Sequence, residues 1–167
     1  MTRVRGWRTG RSRDQRGVAA VEFAIVVPVL LSLVFGVISF GFVLSQKAGI
    51  SNGVRTGARY GSVNLYANSH TCGNVIAETR ESAKTVGISS GTEVGVIVKR
   101  GTTTICSAAA GAATPSGGSP PCTNASPPSG AETLYVEASF PAQVSIPMMS
   151  FDPIDLTSVG AYQCEYS

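Results

Sequence analysis

"QRGVAAVEFAIVVPVLLSLVFGVISFGFVL", residues 15 to 44, decides how the chain is read. From Phe23 to Leu44 no side chain carries a charge. At ~1.5 Å of rise per residue a helix over that run covers ~33 Å, about the hydrocarbon thickness of a bilayer. Pro28 stands inside it, and membrane helices tolerate a proline where a kink or a neighbour satisfies the freed carbonyl. Core helices of water-soluble domains are rarely apolar for so long. The run therefore predicts a transmembrane helix over 18–45.

The charges on either side give the run a direction. Residues 1–16 hold Arg3, Arg5, Arg8, Arg11, Arg13 and Arg16 against Asp14, a net of +5. Residues 18–167 hold seven basic and nine acidic side chains, a net of −2. The overall +3 thus belongs to the tail, and no basic patch interleaved with aromatics points to nucleic acid. Basic flanks stay in the cytoplasm, so the expectation is residues 1–16, of a basic leader over 1–17, inside and the chain beyond Lys47 outside. A cleaved secretory signal is the rival reading. Its apolar region would exceed the usual ~7–15 residues, and "LSQKAG" offers no A-x-A site.

Glu22 is the anomaly at the mouth of the run. A carboxylate carried into hydrocarbon costs a few kcal/mol, so it either rests among headgroups or has a task. Gly17 lies five positions before it. A cut after Gly17 would make Val18 the first residue, with a free ammonium, and Glu22 the fifth. A basic leader, a glycine, a cut, an apolar helix and a glutamate form the pattern of type IV prepilins and pseudopilins.

"RGVAAVEFAIVVPVLLSLVFGVISFGFVLSQKAGISNGVRTGARYGS", residues 16–62, resembles the TadE-like family of tight-adherence (Flp) pilus assembly proteins. The likeness rests on Arg16 to Phe23, on Pro28 to Leu31 and on Arg55 to Arg59. It implies a structural, non-enzymatic minor pilin or pseudopilin of the bacterial inner membrane, processed by a prepilin peptidase. Other pilin-like subunits (TadF-like or TadE-like) and the pilus machinery would be its partners, with no cofactor and no small-molecule substrate. Major Flp pilins are much shorter, and they usually carry tyrosine where Phe23 stands. An uncleaved single-pass anchor with an extracytoplasmic binding domain is the alternative. An exported hydrolase is a third class, but His70 is the single histidine and no G-x-S-x-G is present.

Beyond the run, Gly41, Ser45, Gly49, Gly53, Gly57 and Gly61 recur every four residues. On a helical stalk over 46–66 they would form one ridge of small side chains. Glycine costs ~1 kcal/mol per interior helix position relative to alanine, so the ridge makes sense where another helix approaches closely. A second pilin-like subunit is the expected partner. The other reading is a flexible Gly-rich linker. Arg55 and Arg59 would line a neighbouring stripe and meet an acidic partner or solvent.

Residues 67–167 read as an exported domain. Cys72, Cys106, Cys122 and Cys164 are an even set outside the run, which predicts two disulfides. Four cysteines allow three connectivities. The Gly- and Pro-rich loop between them favours Cys106–Cys122, with Cys72–Cys164 joining the domain's ends. No C-x-x-C pair accompanies His70, so no metal is expected. "NVIAETRESAKTVG" (74–87) reads as a helix. "TEVGVIVKR", "TLYVEASFP" and "DLTSVGAYQCEY" read as strands. "SIPMMSFDPI" is an apolar stretch that packs under the sheet or meets a membrane or partner. The expected fold is α+β: a long pilin-like transmembrane helix, then a small disulfide-tied domain with one short helix and a three-stranded antiparallel sheet.

Overall fold

The computed structural model describes residues 12–63, 71–118, 120–122, 132–146 and 149–164. Helix α1 (Ser12–Ser62) is a single element of 51 residues. Pro28 lies within it without ending it, and Ser32 Oγ donates to the Pro28 carbonyl at 2.8 Å. Helix α2 (Cys72–Ser82) starts at Thr71, whose Oγ1 accepts from the Asn74 amide at 3.3 Å. The helix thus starts two residues earlier than expected and stops before the expected Gly87. Gly87, at φ +91°, belongs to the turn that follows.

The strands are β1 (Gly95–Arg100), β2 (Thr103–Ala108), β3 (Thr133–Ala142), β4 (Ser145–Ile146), β5 (Met149–Ser150) and β6 (Ile154–Gln163). β4 and β5 pair as a small hairpin. The others form one antiparallel sheet in the order β2-β1-β3-β6. The main sheet therefore has four strands where three were expected. β2 escaped the sequence reading because its buried positions, Cys106 and Ala108, are small and its other residues are polar. Alternation of large apolar side chains, the usual sign of a half-buried strand, is missing there.

β3 shows that alternation in full. Leu134, Val136, Ala138, Phe140 and Ala142 are buried, and the residues between them face outward. The covered face carries both helices. α1 lies over β3 and β6, and α2 lies beside it toward β1 and β2. Ile50, Val54 and Ala58 of α1 meet Val75 and Ile76 of α2 above Val96, Val98, Leu134 and Val136. Residues 46–62, expected as a stalk, are the central helix of the domain.

Arg80 holds the α2 side of the domain together. Its side chain is buried and donates to three backbone carbonyls: Nε to Val94 (3.1 Å), Nη1 to Ala112 (2.8 Å) and Nη2 to Ala109 (3.0 Å). Burial lowers its pKa from the usual value, yet an arginine keeps its charge. Charge-assisted bonds of this kind pin the start of the loop after β2, which has no apolar pattern to fold around.

The disulfides correct the expected connectivity. Cys72 bonds Cys106, and Cys122 bonds Cys164. Neither Cys106–Cys122 nor Cys72–Cys164 forms. Cys106 pairs in register with the buried Val98, so it points into the helix layer, where Cys72 opens α2. The loop after β2 is instead held by the bridge Ser107↔Ser116 and carries Cys122 to the far end of β6. Mass mapping of a non-reduced digest should find peptides joined through Cys72–Cys106 and Cys122–Cys164. A peptide joined through Cys106–Cys122 would contradict this arrangement.

Candidate functional site

The residues singled out by the sequence for processing and helix packing all lie on α1, and the structure divides that helix in two. From Val18 to Phe42 its side chains are largely uncovered: Phe23, Val29 and Val37 are 70%, 68% and 66% exposed. Water-soluble surfaces rarely leave so long an apolar face open. This segment is long and apolar enough to cross a membrane, and none of its most apolar window is buried by the domain. The long apolar N-terminal helix suggests a membrane anchor. Gly17 and Val18 lie inside the same helix, and among the described residues nothing stands within 4 Å of a Cβ placed on Gly17. Glu22 is exposed on the bare half.

The other half of α1 is packed, and the glycine ridge faces the packing. A Cβ on Gly49 would stand 2.8 Å from the Ala83 carbonyl oxygen. On Gly53 it would stand 2.6 Å from the Thr79 oxygen. On Gly57 it would meet Thr79 Oγ1 at 1.9 Å, and on Gly61 the Leu134 side chain at 2.7 Å. The helix that uses the ridge is therefore α2 of the same chain, running antiparallel to α1. The expected second subunit is not needed to explain these glycines. Gly41, one step earlier on the ridge, meets nothing within 4 Å and belongs to the bare half.

Side-chain bonds close the same seam. Thr79 turns its hydroxyl back to the Val75 carbonyl at 2.7 Å, which keeps it small and satisfied. Ser45 and Thr85 share a hydrogen bond of 3.0 Å, and Asn52 Nδ2 donates to the Ser82 carbonyl at 3.2 Å. Arg55 and Arg59 face away from the seam and stay exposed. Arg59 lines a shallow groove with Thr56, Tyr60, Val63 and Glu78.

Two contacts were missed by sequence reasoning. Gly160 of β6 lies flat on the α1 backbone, where a Cβ would stand 2.3 Å from the Val54 oxygen. A lone glycine within the strand pattern "TSVGAYQ" was the available sign of a close backbone approach. Lys47 Nζ donates to the Thr157 carbonyl of β6. No sequence signal announces that contact. His70 lies outside the described residues.

The bare apolar half, the small-residue seam and the Arg55–Arg59 stripe thus occur on one helix. The model of the TadE-like protein family matches residues 17–59. This stretch is TadE-like. The match starts at Gly17, ends at Arg59 and falls entirely within α1, so it covers the bare half and most of the seam. No curated protein and no solved structure matches the chain. A TadE-like segment on an apolar N-terminal helix fits a pilin-like component of a Tad pilus.

The seam sets two effects of opposite sign against each other. Gly57→Ala gains ~1 kcal/mol of helix propensity. Forcing a methyl into the space held by Thr79 costs ~1–3 kcal/mol. Denaturant unfolding of the solubilised protein should therefore show Gly57→Ala as destabilised. Gly41→Ala, with open space around it, should not be. Equal stability of the two variants would contradict the packed seam.

Proposed function

We propose that the protein is a pilin-like structural subunit of a tight-adherence pilus or of its assembly complex, cut after Gly17 by a prepilin peptidase. The observation that carries this reading is the TadE-like match over a helix with one half built into a disulfide-tied domain and the other half bare. The domain has its own core and its own staples, so it does not need the bare half to fold. The bare half needs an apolar surrounding. A bilayer supplies one before assembly, and the helices of neighbouring subunits supply one after it. The Arg-rich residues 1–16 would remain in the cytoplasm, with the domain on the oxidising side where its disulfides persist.

Gly17, Val18 and Glu22 take their roles within this reading. Cutting after Gly17 removes the basic leader that holds the helix in its membrane orientation. It also creates an ammonium on Val18. Glu22 then lies ~6 Å further along the helix, about one turn. A neighbour displaced by that amount sets its Val18 ammonium beside this carboxylate, in hydrocarbon where either charge alone is costly. The pair would fix the stagger between helices. The partners are the peptidase, other pilin-like subunits and the pilus machinery.

N-terminal sequencing and intact mass of protein from the producing cell test the cut. The expected first residue is Val18, and Gly17→Leu should keep the leader. Native protein that still starts at Met1 would favour the uncleaved anchor instead. Glu22→Ala should insert and be cut, yet fail to co-purify with the other subunits. Co-purification at the wild-type level would remove the role assigned to Glu22.

A further inference from the structure

We propose that the end of the domain from which α1 departs, built by Val86, Phe151 and Ile154, is a membrane-contact surface seated in the phospholipid headgroup layer. The inference rests on the membrane-spanning reading of residues 18–44 given above. It adds that the folded domain, and not the helix alone, touches lipid.

The first support is exposure. Beyond Leu44, six large apolar side chains among the described residues are exposed. Ile97 and Val159 lie on the outer face of the sheet, and Tyr162 lies near the far end of β6. The other three are Val86 (60%), Phe151 (47%) and Ile154 (49%), and Phe151 lies three residues before Ile154, directly after the β4–β5 hairpin, whose strand β4 contacts α1.

The second support is level. Val86 is fixed between Thr85, which bonds Ser45, and Gly87, where a Cβ would touch the Gln46 side chain. It therefore lies beside the first residues after the uncharged run. On the other side, Gly160 rests on the α1 backbone at Val54. Ile154 lies six residues back along β6, ~20 Å at ~3.3 Å per residue. Along α1 that distance is ~13 residues, which brings Ile154 level with about residues 41–44. The bond from Lys47 to Thr157 lies between these points and keeps β6 against α1. Val43 is itself partly covered by the core. The folded domain thus overlaps the last turn of the apolar run, and a bilayer that holds Phe42 and Leu44 meets this end of the domain.

The third support is charge, which selects the type of contact. Asp152 and Asp155 flank the apolar pair, and Lys84 is engaged by Glu81. Lys47 is turned to a backbone carbonyl. Among the described residues at this end of the domain no basic cluster is present to seek anionic headgroups, so the contact is apolar and shallow, ~5–10 Å deep, and zwitterionic phospholipid suffices.

Tryptophan fluorescence of the full chain in zwitterionic phospholipid nanodiscs tests this. Trp7 is the chain's single tryptophan, and Trp7→Phe gives a silent background. Phe151→Trp in that background should lose emission about twofold when lipid brominated high on its acyl chains replaces ordinary lipid, as a shallow interfacial contact requires. Val159→Trp, on the outer face of the sheet, should be unaffected. Phe35→Trp, within the span, reports insertion independently. Quenching of Phe35→Trp without quenching of Phe151→Trp overturns the contact and leaves the span standing. Absence of quenching at both positions overturns the span and the contact together. A concentration-dependent blue shift of Phe151→Trp without quenching assigns the surface to a second copy of the chain and overturns the proposal. Quenching that requires anionic lipid overturns the apolar character claimed for it.

Discussion

The structure depends on the closeness of α1 to its neighbours. α2 approaches on one side until Thr79 occupies the space a Cβ would take on Gly57. β6 approaches on the other until Gly160 touches the Val54 carbonyl. Two backbones can come this near only where side chains are absent, and the cost is helix propensity, ~1 kcal/mol for each glycine. Four such positions in an isolated helix would melt it. Here the loss is offset by the burial of Ile50, Val54, Ala58, Val75 and Ile76 around the seam. The helix therefore keeps its form over 46–62 because the domain folds on it. The domain in turn folds there because the helix offers a face that small.

This accounts for the two characters of one continuous helix. The bare half is long and apolar enough to cross a membrane, where internal backbone bonds and apolar side chains would suit lipid. The packed half is stabilised by contacts. The change falls between Leu44 and Gln46, where exposure drops from 53% to 7% within two residues. Ser45, Gln46 and Lys47 are the first polar side chains there, and two of them bond to the domain. The sequence marks the same point by the end of the uncharged run. A composition boundary and a packing boundary coincide, as a change of solvent at that point would require.

The parts legible in the sequence were those in which one physical rule acts without competition. The apolar run shows the bare half of α1. Alternation reveals β1 and β3, since half-buried strands repeat every two residues. The spacing of four displays the ridge as a surface for close approach. What approaches it is not written in the ridge, because a helix from another subunit and α2 demand the same small residues. β2 was illegible because Cys106 and Ala108 fill its inner positions, and their burial reads as composition rather than pattern. Loop composition points to Cys106–Cys122, but composition is no guide to proximity, and Cys72–Cys106 and Cys122–Cys164 form instead. The real guide was the strand register that points Cys106 toward α2, and that register was hidden along with β2.

Internal use of the ridge bears on how such a subunit meets its neighbours. A surface saturated by α2 is closed to a second chain, so contacts between subunits in the pilin-like reading fall mainly on the bare half of α1. That half has a different relief. Phe35, Phe40 and Phe42 stand out from it, and its two open glycines, Gly36 and Gly41, are five apart and do not make a ridge. Helices packing there would interlock bulky side chains at ordinary separations, 8–10 Å between axes, instead of bringing backbones together. Interlocked apolar side chains hold helices together but discriminate poorly between one register and the next, since a shift of one turn exchanges one apolar contact for another. Glu22 is the single charge between Gly17 and Lys47. Only a group of that kind makes a shifted register expensive, by leaving a charge in hydrocarbon without its partner. Affinity and register would then be separate properties of the same surface, the first spread over many side chains and the second concentrated in one.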